Sequence, residues 1–298
     1  MRYAPIVVFA FNRLESLKLC ISSLLKNMES KDSDLIVFVD GARLDKRCEE
    51  EKVQNVRSFV ESIDGFRSLR YYFSDQNKGL GPSVISGVST VFDQYEKAII
   101  IEDDLVVSSN FLSYMNQGLE IYNEITDVFS ICGYTNIVSL PRNYPFDAYF
   151  CVRSSSWGWA TWKDRWESID WELQDWTSVK KHSKTFNRWG GSDCYKMLKD
   201  WKLGRNQSWA IRFCYAQFVQ NKLSLFPTIS KIDNNGFDGN GTNCKKWTRF
   251  KSCFDLTNNK RFIFPDKIET IDSILKSALS YHSLLKRVYS RFMYIIYK

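Results

Sequence analysis

Three consecutive carboxylates, Glu102, Asp103 and Asp104, follow directly on the apolar run Ala98-Ile99-Ile100-Ile101. Acids packed at the end of a buried strand repel one another unless a cation joins them. An Mg²⁺ or Mn²⁺ ion suits such a place, because it takes oxygen ligands from one or two carboxylates and the rest from phosphates and water. A diphosphate ester would bring those phosphates, and the ion would offset the charge that develops on the departing group. Side chains alternate along an extended segment, so Glu102 and Asp104 are expected on one side and Asp103 on the other. The plain alternative is a solvated acidic turn.

The second concentration of chemistry is aromatic. Ser154-Ser155-Ser156-Trp157-Gly158-Trp159-Ala160-Thr161-Trp162, followed by Trp166 and Trp171, is the densest such stretch in a chain with 10 Trp. Flat apolar rings stack on sugar rings, and Gly158 lets the backbone approach a ligand closely. Trp157, Gly158 and Trp159 are therefore assigned to the ligand side. Trp162 and Trp166 share helical spacing with Trp159 and are assigned to a core helix. The stretch 231–243 contains Asn234-Asn235-Gly236-Phe237-Asp238-Gly239-Asn240-Gly241-Thr242, rich in turn formers and amides. The two histidines, His182 and His282, have no partner at metal-ligand spacing and are read as structural or exposed.

These groups need a frame. The first third alternates short β-branched runs with amphipathic stretches: strands over 6–11, 35–39, 70–73 and 98–101, helices after 14, over 49–63 and over 82–95. Alternation of this kind predicts an α/β fold with a mostly parallel sheet flanked by helices. In such sheets ligands gather at the carboxyl ends of the strands. Asn12-Arg13, Asp40-Gly41, the glycine loop 75–81 and the acidic triplet all fall at such ends. The pattern divides the chain into a nucleotide-binding half over 1–128, an acceptor-binding half of the same domain over 129–270, and a basic amphipathic C-terminal helix over 271–298.

Composition narrows the classes further. At 298 residues with 44% hydrophobic and 25% charged residues, the chain has ordinary globular chemistry. A net charge of +7 suits phosphorylated ligands or anionic lipid, and no nucleic-acid-binding signature appears. The 8 Cys have irregular spacing, which reads as reduced, mostly buried thiols of a cytoplasmic protein rather than a zinc or disulfide framework. The apolar run near the start is too short for a secretory leader, and no run approaches the ~20 apolar residues that span a bilayer. The glycosylation-like triplets Asn206-Gln207-Ser208 and Asn240-Gly241-Thr242 are then coincidental.

Taken in order, Pro5-Ile6-Val7-Val8-Phe9 with Asn12-Arg13, Asp40-Gly41, Asn77-Lys78-Gly79-Leu80-Gly81, the strand ending in Glu102-Asp103-Asp104, and the Ser156–Trp166 segment resemble the GT-A (Rossmann-like) glycosyltransferases. Within them the chain looks most like the N-acetylglucosaminyltransferase I type and related bacterial surface-polysaccharide sugar transferases, over roughly residues 3–250. The resemblance implies an inverting, metal-dependent hexosyl- or N-acetylhexosaminyltransferase with a UDP-sugar donor and a glycan acceptor, as in O-antigen synthesis. It implies that Asp104 is the direct metal ligand with Glu102 beside it, and that Asp103 lies by the ribose or the metal's water shell. Asp40 would meet the uracil, Arg13 and Lys78 would approach the ribose or phosphates, and Trp157, Gly158 and Trp159 would lie by the donor sugar. The loop over 231–243 would cover the diphosphate.

One position departs from the family. Inverting transfer needs a general base, and where the resembling segment carries an acid, Asn206-Gln207-Ser208-Trp209 has Gln207, which takes no proton. Asp200 and Asp238, with Asp193 and Asp233, are the substitutes in reach along the chain. Gln207 also supports a non-enzyme rival, a silent glycan- or nucleotide-sugar-binding assembly subunit. A sugar-phosphate nucleotidyltransferase is the second rival, although residues 9–16 lack the glycine-rich loop it would use. The basic C-terminal helix is either a core helix with a solvated face or an interfacial helix on the inner face of the cytoplasmic membrane, where it would serve a lipid-linked acceptor.

Overall fold

The computed structural model describes residues 3–46, 48–238, 250 and 252–296. The described residues form ten strands: β1 (Ile6–Ala10), β2 (Asp34–Val39), β3 (Ser68–Phe73), β4 (Lys97–Glu102), β5 (Leu105–Val107), β6 (Val128–Cys132), β7 (Ala148–Cys151), β8 (Trp159–Trp162), β9 (Leu223–Pro227) and β10 (Ile232–Asn234). The helices are α1 (Leu14–Leu24), α2 (Glu49–Glu61), α3 (Leu80–Phe92), α4 (Phe111–Ile121), α5 (Lys163–Glu167), α6 (Trp176–Lys181), α7 (Ser183–Gly190), α8 (Cys194–Lys202), α9 (Trp209–Val219), α10 (Asp272–Ser280) and α11 (Leu284–Ile296).

Eight strands make one sheet in the order β3-β2-β1-β4-β8-β6-β9-β7, and β5 pairs with β10 in a small ribbon. The sheet is mostly parallel; β8 and β7 run against their neighbours. This is the Rossmann-like α/β architecture that the alternating pattern predicts. The same sheet crosses the 128/129 division, with β4 of the first half paired to β8 of the second, so the two halves share one hydrogen-bonded scaffold.

The apolar character of β1 follows from burial on both faces. Ile6, Val8 and Ala10 pack with Leu17, Ile21 and Val56 on one side, while Val7 and Phe9 pack with Val84, Val88 and Phe92 on the other. A two-sided strand cannot alternate polar and apolar residues, which is why it reads as a continuous run. Three acids in the first turn of α2, Glu49, Glu50 and Glu51, favour its start through the helix dipole.

Two expectations change. Trp159 and Trp162 lie in strand β8, and only Trp166 sits on a helix, the short α5. β8 is clamped on both edges by β4 and β6, so long-range pairing overrides the helical spacing of the aromatics. The C-terminal region is two helices rather than one. α10 tightens at its end, where the His282 N–H donates to Leu279 and the Ser283 N–H to Ser280, before α11 begins.

Candidate functional site

The strand order reverses between β1 and β4: β1 leads outward through β2 to β3, and the chain then crosses to β4 on the other side. That reversal opens a crevice at the carboxyl ends of β1 and β4. Arg13 leaves the end of β1, and the acidic triplet leaves the end of β4. Arg13 donates one guanidinium nitrogen to Asp103 and the other to Asp104, the latter at 3.0 Å. Asp103 also accepts the Phe11 N–H at 3.3 Å.

The shared partner shows that Asp103 and Asp104 do not point to opposite sides as strict alternation requires. β4 ends at Glu102, and residues 103–104 form a turn, which turns both carboxylates toward the same cation. Glu102 keeps some exposure, yet its carboxyl is enclosed by protein. Burial, then the charges of Asp104 and Asp103, raise it to about 8. Burial also raises Asp103, to about 6, although Arg13 works against it. Burial opposes the Arg13 charge, but Asp103 and Asp104 outweigh it and hold the guanidinium firmly protonated. Three carboxyl groups thus share one cation, and the crevice carries an excess of acidic oxygen.

The ribbon of β5 and β10 forms the neighbouring wall. The Asn235 N–H donates to the Asp104 carbonyl at 3.0 Å. Gly236 lies so close that a Cβ there would stand 2.5 Å from Asp104 Oδ2. A side chain there would push the Asp104 carboxylate aside. Asp104 and Glu102 are the oxygen donors that would hold a hard divalent ion here. Among the described residues no three His, Cys, Asp or Glu side chains are placed to hold a metal unaided. Such a set suits an ion whose other positions are filled by phosphate and water.

Asp40 organises the opposite rim. Its carboxylate accepts from the backbone of Gly41, Lys78 and Gly79 and from the Asn77 side chain, at 2.9–3.1 Å. The acid expected to meet a base is therefore engaged with the glycine loop that opens α3. Gly79, with φ +78°, is in the left-handed region, and a Cβ there would also strike Gln207 Oε1 at 2.1 Å. A Cβ at Gly81 would meet the Gln207 carbonyl at 1.9 Å. Gln207 is exposed and sits against this loop at the start of α9, whose N-cap Ser208 accepts the Ile211 N–H. The Lys78 side chain is exposed and has no charged partner among the described residues.

The tryptophan segment divides differently from its expected assignment. Trp159 is buried, stacked between Trp166 and Trp209 with ring centroids 5.8 and 4.9 Å away. It is a core residue, because strand alternation points it to the face that α3, α5 and α9 cover. Trp157 is half-buried and meets Tyr134 edge-on at 4.5 Å and Phe250 at 5.8 Å. Gly158, at φ +60°, accepts the Gly133 N–H and approaches Ile232 of β10, where a Cβ would clash at 2.6 Å. Trp162 and Trp166 are buried.

Of the acids considered for proton transfer, Asp200 is bound by Lys196, one turn earlier on α8, and by Arg205 just after that helix. Asp193 is bound by a buried Arg153 at 2.8 Å. Asp233 is exposed on β10, opposite Val106, and has no basic partner among the described residues. The side chain of Asp238 and residues 239–249 lie outside the described residues. The Arg153–Asp193 pair and Tyr134 were not singled out from the sequence; their partners are 40 and 23 positions distant, and only the fold joins them. Five of the described cysteines are buried, and no disulfide joins those described.

No protein-family model matches the chain, and no curated protein matches it. Among solved structures it is similar to S. aureus TarS, with a TM-score of 0.37 and 12% identity over 57% of this chain and 30% of that one. HddC from Yersinia pseudotuberculosis gives 0.35 and 12% over 58% and 84%. A UDP-glucose pyrophosphorylase complexed with UDP-glucose gives 0.37 and 11% over 76% and 91%. The chain spans less than a third of the TarS chain. Likenesses this distant carry no functional argument.

Proposed function

We propose that the protein is a metal-dependent glycosyltransferase that moves a sugar, with inversion, from a nucleotide-sugar donor, UDP-linked in the first instance, to a glycan acceptor. The observation that supports this reading is the crevice at the β1–β4 reversal, where Arg13 is shared by Asp103 and Asp104 beside a third carboxyl, Glu102. A Mn²⁺ or Mg²⁺ ion held by Asp104, with Glu102 beside it, would supply charge neutralisation for the departing nucleoside diphosphate. Arg13 fixes the two aspartates, and Asp40 fixes the glycine loop from which the Lys78 ammonium can reach a phosphate or ribose. Trp157, held against Tyr134, would lie by the donor sugar.

Gln207 cannot accept a proton, so another group takes that part. Of Asp193, Asp200 and Asp233, Asp233 alone lacks a basic partner among the described residues, and it stands on the strand that flanks Asp104. We assign it the base role. A sugar-phosphate nucleotidyltransferase could use the same cation, but the 11–13 loop after β1 contains no glycine to wrap a triphosphate.

Donor binding and hydrolysis across UDP-, GDP- and dTDP-sugars, with Mn²⁺ or chelator, test the proposal. One donor should bind only with metal and release its nucleoside diphosphate slowly, and Asp104→Ala should lose both. Failure of every donor to bind would refute it. Pyrophosphate release from a nucleoside triphosphate and a sugar phosphate would put the nucleotidyltransferase in its place.

A further inference from the structure

Helix α11 is amphipathic in the reverse sense to a helix that packs on a core. Arg287 donates to Ser192 on the protein body, and Ser290, one turn along, is 1% exposed. These polar residues lie on the inward face. At 100° per residue, Leu285, Val288 and Phe292 fall on the outward face, and they are 83%, 57% and 59% exposed. Leu284 beside them is 63% exposed. Lys286 and Arg291 are exposed on the two flanks of this apolar arc, and α11 contains no acidic residue.

We infer that α11 is a membrane-docking helix that lays Leu285, Val288 and Phe292 on an anionic lipid surface, with Lys286 and Arg291 at the headgroups. Apolar side chains presented to water at this density are unfavourable unless something covers them. The flanking cations indicate that the cover is negatively charged. A second copy meeting this face across a two-fold axis would bring Lys286 and Arg291 against their own equivalents, which repel. A helix of 13 residues is roughly 20 Å long. One face of it offers far less than the ~800 Å² per partner of a stable protein interface. It is also too short to cross a bilayer, and no described helix is long and apolar enough to do so. An in-plane position satisfies each of these conditions.

The body carries the helix in a fixed place. α10, which leads into it, buries Ile274 and Ala278 against Cys132, Tyr149 and Phe226, on β6, the edge strand β7 and β9. The lipid contact is therefore made by a face whose orientation to the sheet is set, and it does not depend on the transferase reading.

Flotation of the full chain with vesicles of phosphatidylcholine alone, or with about one third phosphatidylglycerol, tests the inference. Wild type should float with the anionic vesicles and far less with the neutral ones, and high salt should release it. The exposed-face variant Leu285→Ser/Val288→Ser/Phe292→Ser should lose partitioning by about tenfold or more at unchanged melting temperature. Lys286→Gln/Arg291→Gln should lose most of the anionic preference. Wild type that remains in solution with both vesicle types overturns the inference, as does equal flotation of both variants with wild type. A wild-type dimer that the triple serine variant makes monomeric, with no flotation, would show that a second copy covers the face and would overturn it too. UDP titration of the same variants keeps this outcome separate from that of the donor site.

Discussion

Two groupings of cations and carboxylates stand only a few strands apart and are built on opposite principles. Lys231 and Asp255 form a closed pair, with side chains 5% and 3% exposed. The remaining valences of Asp255 are met by the Asn110 amide and by Thr257. Arg13, Asp103 and Asp104 form an open grouping: Arg13 is 25% and Asp104 11% exposed, and Glu102 adds a third carboxyl that has no ion pair of its own among the described residues. A closed pair has its charges balanced and its hydrogen bonds complete, so it can only hold structure. An open cluster with more acids than cations retains capacity for another positive charge. That difference in balance distinguishes a ligand site from a brace.

The largest expected effect breaks the open cluster. Asp104→Ala should lower donor turnover by about 10²–10³-fold, the scale seen when one electrostatic contact to a developing charge is removed. Its melting temperature should stay close to wild type, because Asp104 is partly solvated and its loss leaves Arg13 paired with Asp103. A collapse of stability with metal-dependent turnover intact would reverse the assignment and make this cluster the brace.

The closed pair should respond in the opposite way. Asp255→Ala leaves a buried ammonium between the Phe262 and Tyr114 rings and should cost about 3 kcal/mol of stability by denaturant unfolding. Donor affinity should not change. The double variant Lys231→Met/Asp255→Leu should regain most of the loss, since it removes both charges together. A loss in the double variant as large as in the single would mean that the hydrogen bonds to Asn110 and Thr257, rather than the charge pair, carry the stability.

The same contrast shows how much was legible in the sequence. The open cluster sits where chain-local patterns place it: a two-sided apolar strand must end somewhere, and its end announces the acids and Arg13. The glycine loop was equally legible, because Gly79 answers a local backbone demand. The closed pair was invisible, because Lys231 and Asp255 are 24 residues apart and obey no periodicity. Trp159 was misassigned for a related reason, since its spacing to Trp162 and Trp166 suits a helix while its pairing with Ile100 and Cys132 makes it a strand residue. The break between α10 and α11 falls at Tyr281-His282-Ser283, without a glycine or proline to mark it. The turn at Asp103-Asp104 likewise came from the chain leaving β4 for β5, which alternation along one strand does not anticipate.

A smaller effect sharpens the contrast through pH. Burial favours the neutral Asp255 carboxyl, but hydrogen bonds from Lys231, Asn110 and Thr257 prevail and hold it at about 2. A folded carboxyl below its unfolded value of about 3.9 adds stability above that value and loses it as pH falls toward the folded one. Unfolding free energy should therefore decline between about pH 4 and pH 2 by on the order of 1 kcal/mol more in wild type than in Asp255→Asn. Parallel curves for the two proteins across that window would show that Asp255 titrates as it does unfolded.

The smallest effect concerns Lys78, the exposed cation on the rim of the open cluster. Its backbone N–H belongs to the structure, since it donates to Asp40, but its ammonium does not. Lys78→Ala should therefore keep the glycine loop, the melting temperature and the metal requirement. It should weaken UDP-sugar binding by about three- to tenfold, the worth of one exposed charge-assisted contact to phosphate. The deficit should shrink as salt is raised, because an exposed ammonium is screened. Lys78→Arg should recover part of the affinity by keeping the charge in place. Equal donor affinity in wild type and Lys78→Ala at low salt would confine the donor to Arg13 and the acids, and would leave the glycine loop as a wall that Asp40 holds in shape.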